Sequence, residues 1–128
     1  MDYDTMEAGR EMDALVAEKV MGWTHVSIRT GCGYKDGVAI GGHETVPPMW
    51  PARLGAILIP DYSTSISAAW EVVEKMWEKG FFVEVAHQCI DGTINALFIP
   101  KEDRHAYEGA LAPTAPLAIC RAALKAVA

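Results

Sequence analysis

Residues 60–100 read PDYSTSISAAWEVVEKMWEKGFFVEVAHQCIDGTINALFIP, and this stretch decides the fold. Its first half has apolar residues at the spacing of one helical face, namely Ile66, Ala69, Trp70, Val73, Met76 and Trp77. Ser63 or Thr64 can cap this helix, because a side-chain oxygen there accepts a hydrogen bond from the first turn. We therefore predict an amphipathic helix with Trp70 and Trp77 in the core, and we expect the layering of the fold to depend on their burial.

The second half of the stretch predicts a hairpin. Gly80 can adopt the left-handed conformation that ends a helix, and residues 81–87 then alternate in the manner of a strand. Asp91-Gly92 is a signal for a type I′ turn, which joins two strands with almost no connecting chain. The return strand, residues 93–99, carries apolar side chains on both faces, so we expect another layer to pack on each face.

Two further helices are predicted near the ends of the chain. Residues 5–21 have apolar residues at helical spacing, with Asp4 or Thr5 as the cap. Thr114 caps a last helix, in which Arg121 and Lys125 are the polar residues of the segment from Leu117 to Ala128. Because this helix is apolar on nearly all sides, we expect it to be well buried.

The middle of the chain has weaker signals. Thr24–Arg29 alternates as a half-buried strand does, and Thr30–Gly37 is rich in turn residues. Val38–Ile40 is a candidate return strand, and Gly41–Leu54 has too many prolines for a helix interior or a central strand. Ala56–Ile59 is either another strand or the apolar lead into the central helix.

The order of these elements predicts an α+β fold, an antiparallel β-sheet sandwiched between α-helices in one domain of residues 1–128. The net charge of −6 argues against binding to DNA or RNA polymers, which requires clustered basic residues. We expect no membrane contact and a cytoplasmic location, because the acidic start differs from a signal peptide and no apolar run approaches ~20 residues. Three cysteines cannot all pair internally, so we expect reduced thiols.

Three blocks of the sequence resemble the phage ABA-sandwich domain family, and together they cover under half of the chain. They are MEAGREMDALVAEKVMGW at Met6–Trp23, YSTSISAAWEVVEKMWEKGFFVEV at Tyr62–Val85 and APLAICRAALKAVA at Ala115–Ala128. The resemblance implies a helix–sheet–helix layering, an origin in a phage or prophage, and hence a location in the host bacterial cell. Members of the family typically carry Asp where this chain has Ser65, so any role of that carboxylate is absent here.

No catalytic or metal-binding constellation stands out in the sequence. The glycines of the segment from Gly31 to Gly37 differ from a dinucleotide fingerprint, because the third comes one residue late and no helix follows. The four histidines and three cysteines lack zinc-site spacing; only His87 and Cys89 are close, and no third group is there to orient them. We therefore expect no metal, no cofactor and no enzymatic activity.

The candidate ligand-binding residues begin with the hydroxyl-rich start of the central helix. Its free N–H groups and side chains can hold a phosphate or carboxylate, or they can be ordinary capping groups. These residues are Tyr62, Ser63, Thr64 and Ser65.

Aromatic and basic residues elsewhere complete the candidate set. Trp23 and Trp50 can each stack on a purine or cover the edge of the core, and Arg29 and Arg53 can meet phosphates or remain solvated. Arg121, if buried, needs a partner, for which a carboxylate such as Glu84 or a ligand anion would serve.

The leading hypothesis is a phage accessory, counter-defence protein that sequesters a small, anionic, nucleotide-type immune signal without turning it over. A cyclic oligonucleotide or an ADP-ribose derivative is the expected kind of ligand. The alternative is a protein–protein interaction module, either a phage assembly subunit or a direct inhibitor of a host protein, with Met49 and Trp50 on its surface. In both cases we expect a homodimer or a higher homo-oligomer.

Overall fold

The computed structural model describes residues 2–35, 56–88 and 90–128. In these ranges the chain forms three helices and six strands. They are α1 (Arg10–Lys19), β1 (Thr24–Ser27), β2 (Cys32–Tyr34), β3 (Ile57–Leu58), α2 (Ile66–Glu78), β4 (Phe81–His87), β5 (Ile94–Pro100), β6 (Glu108–Ala112) and α3 (Ala115–Val127). The predicted α+β class and the antiparallel pairing of the sheet are confirmed.

The strands form two antiparallel sheets of three strands each. The main sheet has the order β4–β5–β6, and β4 pairs with β5 along its whole length, from Phe81 opposite Pro100 to His87 opposite Ile94. The small sheet has the order β1–β2–β3. α2 and α3 pack against the main sheet and against each other, while α1 packs against α3 and β1.

The last helix lies in the middle of the molecule, as its sequence predicts. Nine consecutive residues of α3, from Pro116 to Leu124, are buried, because β5, β6, α2 and α1 all contact this helix. The face of β5 with Ile94, Ala96 and Phe98 is buried, whereas Leu97 and Ile99 on its other face are half-buried. Full burial therefore occurs on one face of the main sheet in the described part of the chain.

The predicted burial of Trp70 and Trp77 is wrong. These side chains are 51% and 54% exposed, and the residues of α2 that are buried are Ala69, Val72, Val73 and Met76. Periodicity places the tryptophans beside the apolar face, but the helix is rotated so that Val72 and Met76 meet its neighbours. The layering does not depend on the tryptophans, because these smaller side chains fill the interior.

Helix α1 begins at Arg10, five residues later than predicted. Gly9 precedes it with φ of 147°, a conformation that a helix cannot continue through and that favours glycine. The segment before Gly9 instead extends to α3, where Asp4 accepts a hydrogen bond from Lys125 at 3.1 Å. The predicted cap at Asp4 or Thr5 is therefore wrong.

Strand β2 lies inside the segment predicted to be a turn-rich loop. Position 33 favours glycine because the side chains of Trp23 and Val26 lie close to its backbone. A Cβ there would lie 3.1 Å from Trp23 Cε3 and 3.1 Å from Val26 Cγ2. Of the two alternatives for Ala56–Ile59, a strand or the apolar lead into the central helix, the structure has the strand, which is β3. The candidate strand Val38–Ile40 and the proline-rich segment lie outside the described residues.

The hairpin between β4 and β5 is present, but its connection is longer than a two-residue turn. Gln88 N–H still donates to the carbonyl of Thr93 at 2.7 Å. A type I′ turn needs positive φ at both central residues. Gly92 has φ of 76°, but φ of Asp91 is not positive, so the turn is not type I′. Asp91 Oδ1 instead accepts from Thr93 N–H (3.1 Å) and Thr93 Oγ1 (2.8 Å), which lowers the pKa of Asp91.

The orientation of α2 predicts unequal effects of two alanine substitutions. Met76→Ala should lower the free energy of unfolding by about 2–5 kcal/mol, because Met76 is fully buried and the change leaves a cavity. Trp70→Ala should change it by less than ~1 kcal/mol at low protein concentration, because half of that side chain is already in water. Urea unfolding followed by circular dichroism measures both, and equal losses would contradict this orientation.

Candidate functional site

The start of α2 is stabilised by ordinary capping. Ser65 is the N-cap, and its Oγ accepts from Ala68 N–H at 3.4 Å and lies 3.1 Å from Ser67 Oγ. The predicted caps, Ser63 and Thr64, are therefore wrong by one or two residues. Thr64 is exposed, and its N–H donates to the carbonyl of Asp61 within a turn. Of the two readings of this segment, the capping role is the one that its hydrogen bonds support.

Ser63 is fully buried and joins the starts of two helices. Its Oγ–H and its N–H both donate to Asp13 Oδ1, at 2.6 and 2.7 Å, and Gly9 N–H donates to Ser63 Oγ at 2.9 Å. These bonds use the Ser63 hydroxyl inside the protein, so it is not available to a ligand.

Asp13 is a buried carboxylate that the sequence analysis did not single out. Burial raises its pKa, the two hydrogen bonds from Ser63 oppose that shift, and the nearby charge of Asp61 adds to it. The ionised carboxylate is therefore accommodated with some loss of stability, and its role here is to hold α1 against the start of α2.

Arg121 is buried, but its partners are backbone carbonyls. Nε and Nη2 donate to the carbonyl of Met6, at 3.1 and 2.9 Å, and Nη1 donates to the carbonyl of Leu111 at 2.8 Å. The expectation of a carboxylate partner such as Glu84 is therefore wrong, and a role of Arg121 in binding a ligand anion stays a prediction. The guanidinium ties the N-terminal segment and β6 to α3.

The other predicted residues divide into exposed, buried and undescribed groups. Arg29 is exposed in the turn after β1, as expected for solvated surface charge. Trp50 and Arg53 lie outside the described residues. Trp23 is 3% exposed, so the structure favours its reading as a core residue over its reading as a free stacking platform.

Trp23 and Tyr62 nevertheless border the same cavity, which has a volume of about 270 Å³ and which we call the Trp23–Tyr62 cavity. Its lining comes from three parts of the chain. The lining residues are Met21, Trp23, Lys35, Ile57, Pro60, Tyr62, Glu71, Glu74, Lys75 and Glu78. Two of the nine predicted ligand-binding residues are thus brought together there, and the other described ones are not.

Among the described residues, some polar groups of this cavity have a hydrogen-bond or ion-pair partner and one buried donor does not. Trp23 Nε1 is buried without a hydrogen-bond partner, and it is the one buried side-chain nitrogen or oxygen among the described residues in that condition. Burial, and then the charge of Glu71, raises the pKa of Tyr62, so its hydroxyl stays protonated at neutral pH. The lining has two lysines and three glutamates, and Lys75 Nζ lies 3.7 Å from Glu78 Oε2.

Sequence reasoning missed most of this lining, because no recognised motif pointed to the acidic residues of α2. A signal was available, since Glu71, Glu74 and Glu78 are spaced three and four residues apart and so share one side of the helix. It also missed the surface cluster at the end of α2, where Lys101 Nζ lies 3.4 Å from the ring centroid of Trp77.

The buried carboxylate of Asp13 predicts a pH-dependent effect on stability. Because its pKa is raised in the folded protein, its ionisation destabilises the fold, and that loss develops as the pH rises through the raised pKa. Asp13→Asn removes the charge and keeps an oxygen that accepts from Ser63. The variant should be more stable than the parent by about 1 kcal/mol at pH 7, with a difference that vanishes below about pH 4.

Thermal unfolding between pH 3 and pH 8 measures this difference. Glu18→Gln, on the exposed side of the same helix, is the matched control and should show no such trend. A lower melting temperature for Asp13→Asn at pH 7 would show that the charge itself stabilises the protein.

Comparisons with known proteins agree with this architecture. In the described part of the chain, no helix combines the length and the apolar character needed to cross a membrane. No protein with a curated description matches the chain. The crystal structure of a phage protein from Bacillus cereus ATCC 14579 is similar, with 27% identity, a TM-score of 0.67, and coverage of 96% of this chain and 95% of that one. The phage ABA sandwich domain matches residues 14–124. This protein therefore belongs to the phage ABA sandwich domain family, as the three blocks of its sequence had indicated.

Proposed function

We propose that this phage protein is an accessory, counter-defence protein that binds and sequesters a small nucleotide-type immune signal in the host cytoplasm without turning it over. The Trp23–Tyr62 cavity is its binding site. The observation that carries the proposal is this cavity, which is built from three separate parts of the chain and is lined by Trp23, whose buried Nε1–H has no partner among the described residues.

A buried donor without an acceptor costs about 1–3 kcal/mol. Because Nε1 is buried, a ligand acceptor reaches it only when the side chains around Trp23 shift, and the acceptor then removes that loss on binding. The carbonyl oxygens and ring nitrogens of a nucleobase are acceptors of this kind, and its exocyclic amino groups are donors that suit Glu71 or Glu74. The chemistry of the lining therefore favours the base of a nucleotide.

The charges of the lining favour an orientation with the phosphate outside. Three glutamates border the cavity, so a phosphate placed inside it would meet like charge. Lys35 is exposed at the rim and offers a cation there. The volume of about 270 Å³ is just below the roughly 300–1,000 Å³ of typical small-molecule sites. The cavity thus suits one nucleotide unit, with any further units in solvent.

The proposal predicts that nucleosides and nucleotides raise the melting temperature and that Trp23→Phe weakens their binding. The substitution removes the N–H while keeping an aromatic ring, so affinity should fall about two- to tenfold, the equivalent of one hydrogen bond. Trp70→Phe is the matched control and should bind as the parent does, because Trp70 is outside the cavity lining. Isothermal titration calorimetry with a panel of bases, nucleosides, mononucleotides and cyclic dinucleotides measures the effect.

Sequestration is tested by recovering the ligand. After incubation and heat denaturation, the supernatant should contain the nucleotide unchanged, as chromatography can show. The idea is lost if no member of the panel shifts the melting temperature, if cleaved product is recovered, or if Trp23→Phe binds with the affinity of the parent.

A second candidate function is a protein–protein interaction module, either a phage assembly subunit or a direct inhibitor of a host protein. It is favoured by a different observation, the row of half-exposed apolar side chains on α2, which we call the α2 stripe and which consists of Ile66, Trp70 and Trp77. Binding of a protein partner should be lost in Trp70→Glu and retained in Trp23→Phe, which is the reverse of the result for a nucleotide. Met49 and Trp50, expected earlier to form this surface, lie outside the described residues.

A further inference from the structure

Strand β4 is an outer strand of the main sheet and has unused backbone groups. Gln88 N–H donates to Thr93 O, and Lys101 N–H donates to Gly80 O, which sets the alternation of the antiparallel ladder. Residues 82, 84 and 86 therefore direct their N–H and C=O groups to β5. Phe81, Val83, Val85 and His87 direct theirs away from the sheet, and none of these groups has a partner among the described residues.

The other outer strand, β6, is protected. By the same alternation, Gly109 and Leu111 direct their carbonyls away from β5. Lys125 Nζ donates to Gly109 O at 2.6 Å, and Arg121 Nη1 donates to Leu111 O at 2.8 Å. These charged side chains of α3 occupy carbonyls that a further strand would need for pairing. The two edges of the sheet therefore differ, and β4 is the one open to pairing.

The α2 stripe contacts β4 through Trp77. Phe82 and Val83 point to opposite faces of the sheet, and α2 lies on the face of Val83, which pairs with the buried Phe98. Trp77 nevertheless contacts Phe82 edge to face, with ring centroids 5.5 Å apart. Lys101, the residue after β5, lies over the Trp77 ring at 3.4 Å, so this contact is made at the end of the sheet where α2 turns into β4.

Trp70 and Val85 lie at nearly the same distance from the turn that joins α2 to β4. Trp70 is about 14 Å from Lys79 along the helix, at about 1.5 Å per residue. Val85 is about 17 Å from Gly80 along the strand, at about 3.3 Å per residue. Val85 is 40% exposed, and it points to the helix side because it pairs with the buried Ala96. Ile66, Trp70 and Val85 are thus three exposed apolar side chains on the helix side of the main sheet, and we group them as one patch.

We propose that two copies of this chain form a dimer through β4, paired antiparallel about a two-fold axis at Val85. The two main sheets become one sheet of six strands, and the patches of the two copies pack against each other on the helix side. Each Val85 lies opposite Val85 of the second copy, and Val83 lies opposite His87 of the second copy. An axis at Glu84 is disfavoured, because it would place this carboxylate directly opposite itself.

The area of the patch is consistent with a weak dimer. Three partly exposed side chains of this size offer roughly 200–250 Å² per copy. Two copies bury roughly 400–500 Å² of these side chains, about half of the ~1,000 Å² of a small specific interface, and the paired strand edges add to it. A second copy also satisfies the outward N–H and C=O groups of β4. A partner that covered only the α2 stripe would leave them unpaired. This proposal is independent of the nucleotide ligand.

Proline substitutions at the two edges test the proposal. Val85→Pro removes an N–H that points away from the sheet, so it blocks pairing with a second copy while leaving the β4–β5 ladder intact. Leu111→Pro makes the same change on the outer side of β6 and is the matched control. Trp70→Glu alters the patch without touching the strand, and it keeps the test valid if a proline variant does not fold.

Sedimentation equilibrium up to about 0.5 mM should show a dimer for the parent chain and for Leu111→Pro. Val85→Pro and Trp70→Glu should be monomers with unchanged circular dichroism, and the Val85 amide of the parent should exchange its hydrogen more slowly as the concentration rises. The proposal fails if the parent is monomeric throughout. It also fails if its oligomer survives both Val85→Pro and Trp70→Glu, or if Leu111→Pro is the variant that dissociates.

Discussion

The burial of α3 on all sides is the constraint on which the rest of the structure depends. Nine consecutive buried residues require neighbours all round the helix, and the main sheet, α2 and α1 supply them. Each buried Leu or Ile side chain there contributes roughly 1.5–3 kcal/mol. The same burial explains Arg121, because a guanidinium in this position must have its hydrogen bonds satisfied. The carbonyls that satisfy it belong to the N-terminal segment and to β6, so α3 positions both.

The need to satisfy buried polar groups also explains why several predicted ligand-binding residues are structural. Ser63 is bonded to Asp13 and Gly9, and Ser65 caps α2. Trp23 is the exception, since its buried N–H lacks a partner among the described residues and its side chain borders a cavity. A hydroxyl that already holds two helices together has little to offer a ligand, whereas an unpaired donor gains from one. The candidate site is therefore the place where a buried donor has no hydrogen-bond partner among the described residues.

The surface of helix α2 has three parts with different roles. One arc, centred on Val72 and Met76, is buried against the rest of the protein. The acidic side, with Glu71, Glu74 and Glu78, borders the Trp23–Tyr62 cavity. The α2 stripe contacts β4 through Trp77 and is otherwise half-exposed. These roles do not overlap on the helix, so ligand binding and self-association can be altered separately.

The sequence by itself determined the class of the fold, the positions of α2, α3 and the β4–β5 hairpin, and the family. These follow from local periodicity, from the glycines at 80 and 92, and from blocks of residues that are contiguous in the chain. Local patterns cannot show which arc of an amphipathic helix meets the core, so the exposure of Trp70 and Trp77 was decided by tertiary packing alone. The same holds for the hydrogen-bond partners of Ser63 and Arg121. Asp13 lies 50 residues from Ser63 along the chain, and Met6 lies 115 residues from Arg121. Only the folded chain brings such groups within hydrogen-bond distance, and it thereby decides which polar residues remain available to a ligand.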